Sequence, residues 1–119
     1  MTAYSRKPEA IHAAKRFLIS CVHRITGELP TYTEVASTYG GTAQGAIPVL
    51  NSISCECDES GEPDLSALTV NKRTLRPGMF KGQPVVPGSP NERNWNQELD
   101  KIAKHEWAPS DFSTRDGGR

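Results

Sequence analysis

No long hydrophobic run interrupts this chain of 119 residues, and nothing approaches the roughly 20 consecutive apolar residues that a bilayer crossing requires. An apolar signal core is also missing from the stretch Met1–Arg6, so cytoplasmic residence and no membrane partner are the expectation. Cysteine is scarce and odd in number, with Cys21, Cys55 and Cys57 only, which argues against a disulfide framework. Charge of one sign is absent as well, because 14 Lys and Arg side chains balance 14 Asp and Glu. That neutrality weighs against tight nonspecific binding to nucleic acid, where phosphate neutralisation supplies much of the affinity. It excludes an acidic DNA mimic equally. Hydrophobic residues make up 35 %, so one small core is affordable and a second domain is not.

What is present reads as helices first. Residues 9–26 carry Ile11, Ala14, Phe17, Leu18, Cys21, Val22 and Ile25 at steps of three and four, the stripe of an amphipathic helix. Gly27 is expected to close it in a left-handed C-cap. Thr31-Tyr32-Thr33-Glu34 forms a capping-box pattern that starts a second, short helix ending near Tyr39, before Gly40-Gly41. Thr42 is then placed to cap a third helix running to about Ile53. Pro48 conflicts with that start, since a proline inside a helix removes a hydrogen bond and costs about 3 kcal/mol. The helix is therefore kinked there or begins later.

The segment Cys55–Asp64 holds five carboxylates, among them Glu56, Asp58 and Glu59, and reads as an acidic loop. Leu65–Asn71 reads as a buried strand. Lys72, Arg73, Arg76 and Lys81 surround a Pro77-Gly78 turn, with Met79-Phe80 as the returning strand of a basic hairpin. Three prolines and Gly88 follow in residues 83–91. Asn91 or Asn94 is positioned to cap a last helix to about Trp107, with a stripe of Trp95, Leu99, Ile102 and Ala103. The expected organisation is a flexible start (1–8), one domain (9–107) and a loose tail (108–119).

The fold class expected from this order is α+β: three N-terminal helices, a β-hairpin and a C-terminal helix, a small winged-helix-like domain. Thr31-Tyr32-Thr33-Glu34-Val35-Ala36, Ala43-Gln44-Gly45-Ala46-Ile47 and Leu65-Ser66-Ala67-Leu68-Thr69-Val70 with the Arg76-Pro77-Gly78 turn carry a resemblance. Over about residues 11–107 the chain resembles the C-terminal DNA-binding domain of the O6-alkylguanine-DNA alkyltransferase and alkyltransferase-like family. The resemblance implies a winged-helix fold and DNA binding, with modified DNA as one target. It also implies that the alkyl-accepting cysteine is replaced by Ser66, the histidine beside it by Ala67, the next arginine by Leu68, and the helix arginine that enters the base stack by Gln44. Alkyl transfer at that position is thereby excluded.

The candidate DNA-binding residues are Tyr32, Thr42, Gln44, Lys72, Arg73 and Arg76. Tyr32 and Thr42 stand at expected helix starts, where backbone N–H groups favour phosphate. Gln44 suits bidentate pairing with adenine, and the three basic residues suit a phosphate grip. The blander reading makes Thr42 only a cap and the basic hairpin a solvated turn. A metal reading of Cys55 and Cys57 is disfavoured by their one-residue spacing, and a redox reading by the lack of Cys-x-x-Cys. No cofactor motif appears: Gly40-Gly41-Thr42 lacks the lysine and spacing of a phosphate loop. Ser66 has no histidine near it in sequence, and the acidic cluster reads as solvated charge, so no enzyme activity is assigned. The alternative to DNA binding is a protein-interaction module, an inhibitor or accessory subunit that masks a partner, drawn from the segregated charge and from Trp95 and Trp107.

Overall fold

The computed structural model describes residues 7–107. Residues 108–119 of the expected tail, and 1–6 of the expected flexible start, lie outside the described residues. Among the described residues the fold is a small α+β domain of four α-helices and one two-stranded antiparallel hairpin. Among the described residues no helix is long and apolar enough to cross a membrane.

Helix α1 (Pro8–Ser20) begins with proline in its first turn, where no N–H is needed. It buries Ala10, Ala14 and Leu18, spaced by four, against the core. The expected continuation to residue 26 does not hold. At Cys21 the bonding tightens, with Cys21 N–H donating to the Leu18 carbonyl at 2.9 Å and Arg24 N–H to that of Cys21 at 2.8 Å. A 3-10 turn (Val22–Thr26) follows. Its three-residue repeat stacks Val22 and Ile25 on one side, and both pack partly buried against the core. Gly27 has φ −133°, so it is not the left-handed cap expected.

Helix α2 (Tyr32–Ser37) has the capping box read from the sequence. The Thr31 hydroxyl accepts from Glu34 N–H at 3.2 Å, and Thr31 N–H donates to Glu34 Oε1 at 3.0 Å. Helix α3 (Ala46–Ser60) starts four residues after Thr42, not at it. Pro48 explains the difference. It is the third residue of α3, inside the first turn whose N–H groups have no partner within the helix. The helix also runs on through most of the segment expected to be an acidic loop. Ala46, Val49, Leu50, Ile53 and Cys57 form its buried stripe, while Glu56, Asp58 and Glu59 face outward. Gly61 ends it at φ +70°, a conformation that disfavours any residue with a Cβ. Glu62 N–H then reaches the Cys57 carbonyl at 2.8 Å.

The expected strand Leu65–Asn71 is instead a 3-10 turn (Leu65–Leu68), started by Asp64, whose carboxylate accepts from Ser66 N–H at 3.0 Å. Leu65, Ala67, Leu68, Thr69 and Val70 are all buried, and a strand with only one covered face would expose alternate residues. Only Val70 makes a strand-like contact, a parallel bridge to Thr31, with its N–H donating to the Pro30 carbonyl at 2.9 Å. The hairpin lies further along. Strand β1 (Met79–Phe80) pairs antiparallel with β2 (Gln83–Pro84), Met79 opposite Pro84 and Phe80 opposite Gln83. Lys81 and Gly82 turn the corner with φ +54° and +76°, the two positive values of a type I′ turn.

Helix α4 (Pro90–Lys104) is capped by Ser89, not by Asn91 or Asn94, through its hydroxyl and Glu92 N–H at 3.2 Å. It buries Trp95, Glu98, Leu99 and Ile102, while Ala103, expected on the stripe, is exposed. The Trp95 indole N–H donates to the Ala67 carbonyl at 2.8 Å and joins α4 to the Leu65 turn. The core closes around Leu18, Val35, Ile53, Leu65, Leu68 and Ile102.

Candidate nucleic-acid interface

The six sequence-derived residues divide into two groups. Tyr32, Lys72, Arg73 and Arg76 are brought together by the loop Asn71–Gly78. The Tyr32 hydroxyl accepts from Gly78 N–H at 3.1 Å, and Val70 N–H ties the other end of the loop to Pro30. The loop is therefore fixed to the start of α2 at both ends. Thr42 and Gln44 lie in the turn between α2 and α3. Thr42 caps that turn, its hydroxyl accepting from Gly45 N–H at 3.1 Å. Gln44 is exposed there, ahead of α3 and not on it.

The availability of each side chain differs. Lys72 and Arg73 are exposed. Arg76 is half-buried and ion-paired with Glu92, and its Nη1 donates to the Thr74 carbonyl at 3.2 Å. Glu92 also accepts from Gly88 N–H at 2.9 Å. That bond, with the Arg76 guanidinium, holds the Glu92 carboxyl below its ordinary range. Arg76 is thus an anchor for the loop and is not free to grip phosphate. The α2 start offers no phosphate site either, because Glu34 places its own carboxylate there.

The loop is bonded chiefly to itself. Asn71 N–H donates to the Arg76 carbonyl and Leu75 N–H to that of Asn71, both at 2.8 Å. The Asn71 side-chain oxygen accepts from Arg73 N–H at 2.8 Å. Leu75 has φ +59° and remains 62 % exposed, a branched side chain in a backbone region that favours glycine. Sequence reasoning missed Leu75, and no local pattern marks it. It also missed Glu92 as the partner of Arg76, although Ser89-Pro90-Asn91-Glu92 has the spacing of a helix start that brings Glu92 to this place.

Ile47 at the start of α3 and Met79 at the start of β1 border one cleft of about 780 Å³. The start of α3 and the hairpin therefore share a side of the molecule. The cleft is acidic, with Asp58, Glu62, Asp64 and Glu98 among its lining residues. Two of these accept from neutral donors, and Glu98 is also ion-paired with Lys101 at 4.0 Å. Asp64 accepts from the hydroxyls of Ser66 at 2.6 Å and Ser54 at 2.8 Å, and Glu98 accepts from Asp64 N–H at 2.7 Å. Ser66, which the resemblance puts in the place of the nucleophile, thus donates its proton to a carboxylate and has no histidine bonded to it. Along α3, residues 46–54 carry no charge, and its acids begin at Glu56. At about 1.5 Å per residue, Glu56 stands roughly 14 Å along the helix from Ile47, but Asp58, Glu62, Asp64 and Glu98 line the same cleft as Ile47 and keep negative charge on that side.

Among the described residues no cluster of three metal-ligating side chains forms. Cys57 is buried in the core face of α3 and Cys55 is half-exposed, two positions before it and so not facing the same way. Burial pushes the Cys57 thiol up to about 11. Comparison with protein-family models, curated proteins and solved structures finds no match to the chain.

Proposed function

We propose that this protein is a non-catalytic DNA-binding domain of winged-helix-like layout, in which the loop Asn71–Arg76 serves as the wing. One observation carries the reading. Two exposed cations, Lys72 and Arg73, sit on a self-bonded loop that is fastened to α2 through Tyr32 and Pro30. A cation held on a rigid backbone loses less entropy on meeting a phosphate than one on a free chain. The uncharged start of α3, with Gln44 ahead of it, is the surface offered to base edges. Two free cations on a neutral chain give modest affinity, in the micromolar range typical of nonspecific binding at about 10⁻⁴ to 10⁻⁶ M.

Fluorescence anisotropy of a labelled duplex at low and moderate salt tests the reading. Salt-sensitive binding is expected, with the slope of log K against log salt reduced by about one unit in Lys72→Ala and in Arg73→Ala. A protein that fails to bind duplex at low salt overturns it. A second reading, a protein-interaction module, is favoured by the half-exposed apolar side chains Ile47 (51 %) and Met79 (59 %) on the acidic cleft. It expects a complex that survives nuclease and is lost in Ile47→Ser and Met79→Ser; a complex unaffected by both changes removes it.

A further inference from the structure

We propose that Leu75 is a wedge that enters the base stack of a duplex whose phosphates Lys72 and Arg73 hold, an inference that rests on the DNA-binding reading above. Leu75 is the most exposed of the large hydrophobic side chains among the described residues, at 62 %. Its backbone lies at φ +59°, where glycine would be accommodated without strain. What leucine adds at this position is the isobutyl group itself, held outward from the loop.

The loop is built to bear a load at that point. Leu75 N–H is bonded to the Asn71 carbonyl, and the residue after it is locked by the Arg76–Glu92 pair. Thr74, the residue before it, is bonded through its hydroxyl to both the N–H and the carbonyl of Arg76, at 3.2 and 3.1 Å. A wedge on a mobile loop would fold away from the stack, whereas this one has its backbone fixed on both sides before contact.

The surroundings select the partner. No acidic residue occurs between Asn71 and Gly78, and Lys72 and Arg73 stand three and two positions before the leucine. An apolar tip with cations beside it matches the pattern by which apolar side chains part base steps while neighbouring Lys and Arg neutralise phosphate. A membrane surface fits poorly, because one leucine and two cations are less than a single acyl chain provides, and that alone anchors only marginally. The step requires no covalent chemistry. Deformable pyrimidine–purine steps are the expected place of entry.

The test uses the full chain and a duplex with 2-aminopurine beside a central TA step, labelled at its ends for energy transfer. Wild-type protein is expected to raise 2-aminopurine fluorescence on binding and to bend the duplex by about 20–90°. Leu75→Ala and Leu75→Gly are expected to lose both signals and about tenfold in affinity, with the salt slope unchanged. Leu75→Gly suits the backbone angle and is expected to fold, which thermal melts check. Lys72→Ala is expected to weaken binding while keeping the fluorescence rise at saturation. A wild-type protein that does not bind removes the DNA reading and the wedge with it. Binding without a fluorescence rise, or a rise that survives in Leu75→Gly, overturns the wedge alone.

Discussion

Replacing Trp95 by Phe should cost about 2–4 kcal/mol of stability, and the figure follows from two terms. The first is a stranded acceptor. The Ala67 carbonyl receives the indole N–H at 2.8 Å in a buried setting, with Ala67 2 % and Trp95 6 % exposed. Phenylalanine leaves that carbonyl without its donor, at about 1–3 kcal/mol. The second is lost apolar contact and a small cavity where the wider ring ended, about 1 kcal/mol. For a domain of this size each kcal/mol moves the melting point by roughly 3–6 °C, so a fall of about 6–24 °C is expected. Urea and thermal melts followed by circular dichroism at 222 nm read both quantities. Trp107→Phe is the control, since Trp107 is half-buried and its bond to the Ile102 carbonyl is longer, at 3.3 Å. Its loss should stay below about 1 kcal/mol. A Trp95→Phe loss under about 1 kcal/mol would refute the reasoning, because it would mean that water reaches the Ala67 carbonyl and that the joint between α4 and the Leu65 turn does not depend on this bond.

Thr31→Ala removes one half of the α2 capping box and should lower stability by about 1 kcal/mol, measured by urea unfolding. The Glu92 carboxyl is depressed in the folded state by Gly88 N–H and Arg76. Its stabilising contribution is therefore complete above the unfolded value near 4.5 and fades as pH falls below that towards the folded value. Glu92→Gln should flatten the acid limb of the stability profile below about pH 4.5, and an unchanged limb would show that neither the Gly88 nor the Arg76 contact holds the carboxylate in solution. Thiol titration at pH 8 should find Cys55 reacting first among the three cysteines, more slowly than a free thiol because burial and nearby Glu59 raise it. Cys57, buried and raised to about 11, should react only on unfolding; fast modification of Cys57 in the native protein would contradict its placement on the inner face of α3.

Local signals were the legible ones. The Thr31 to Glu34 spacing announced the start of α2, and the spacing of Ala14 and Leu18 announced the buried side of α1. Where a residue's state depends on a distant partner, local pattern misled. Glu56, Asp58 and Glu59 looked like a loop because nothing nearby revealed that Cys57 between them faces a core. Leu65 to Val70 looked like a strand because a short apolar run has no period that separates strand from buried turn. Of the candidate site, the exposed cations Lys72 and Arg73 were identifiable from the sequence. The engagement of Arg76 was not, since its partner Glu92 lies 16 residues away and meets it only after α4 has docked.

The Asn91 side chain gives the hairpin an unusual dependence. Its amide lies within hydrogen-bond distance of three carbonyls, Phe80 and Gln83 at 3.0 Å and Pro84 at 3.2 Å. Two paired residues per strand are too few to hold a ribbon together in water. The ribbon therefore has no separate existence from the first turn of α4, which also clasps Gly88 and Arg76 through Glu92. Hydrogen exchange should find residues 76–92 opening together as one cooperative unit, with a single free energy shared by loop, ribbon and helix start. A change at Asn91 would then be felt at the tip of the basic loop, to which its amide makes no direct hydrogen bond.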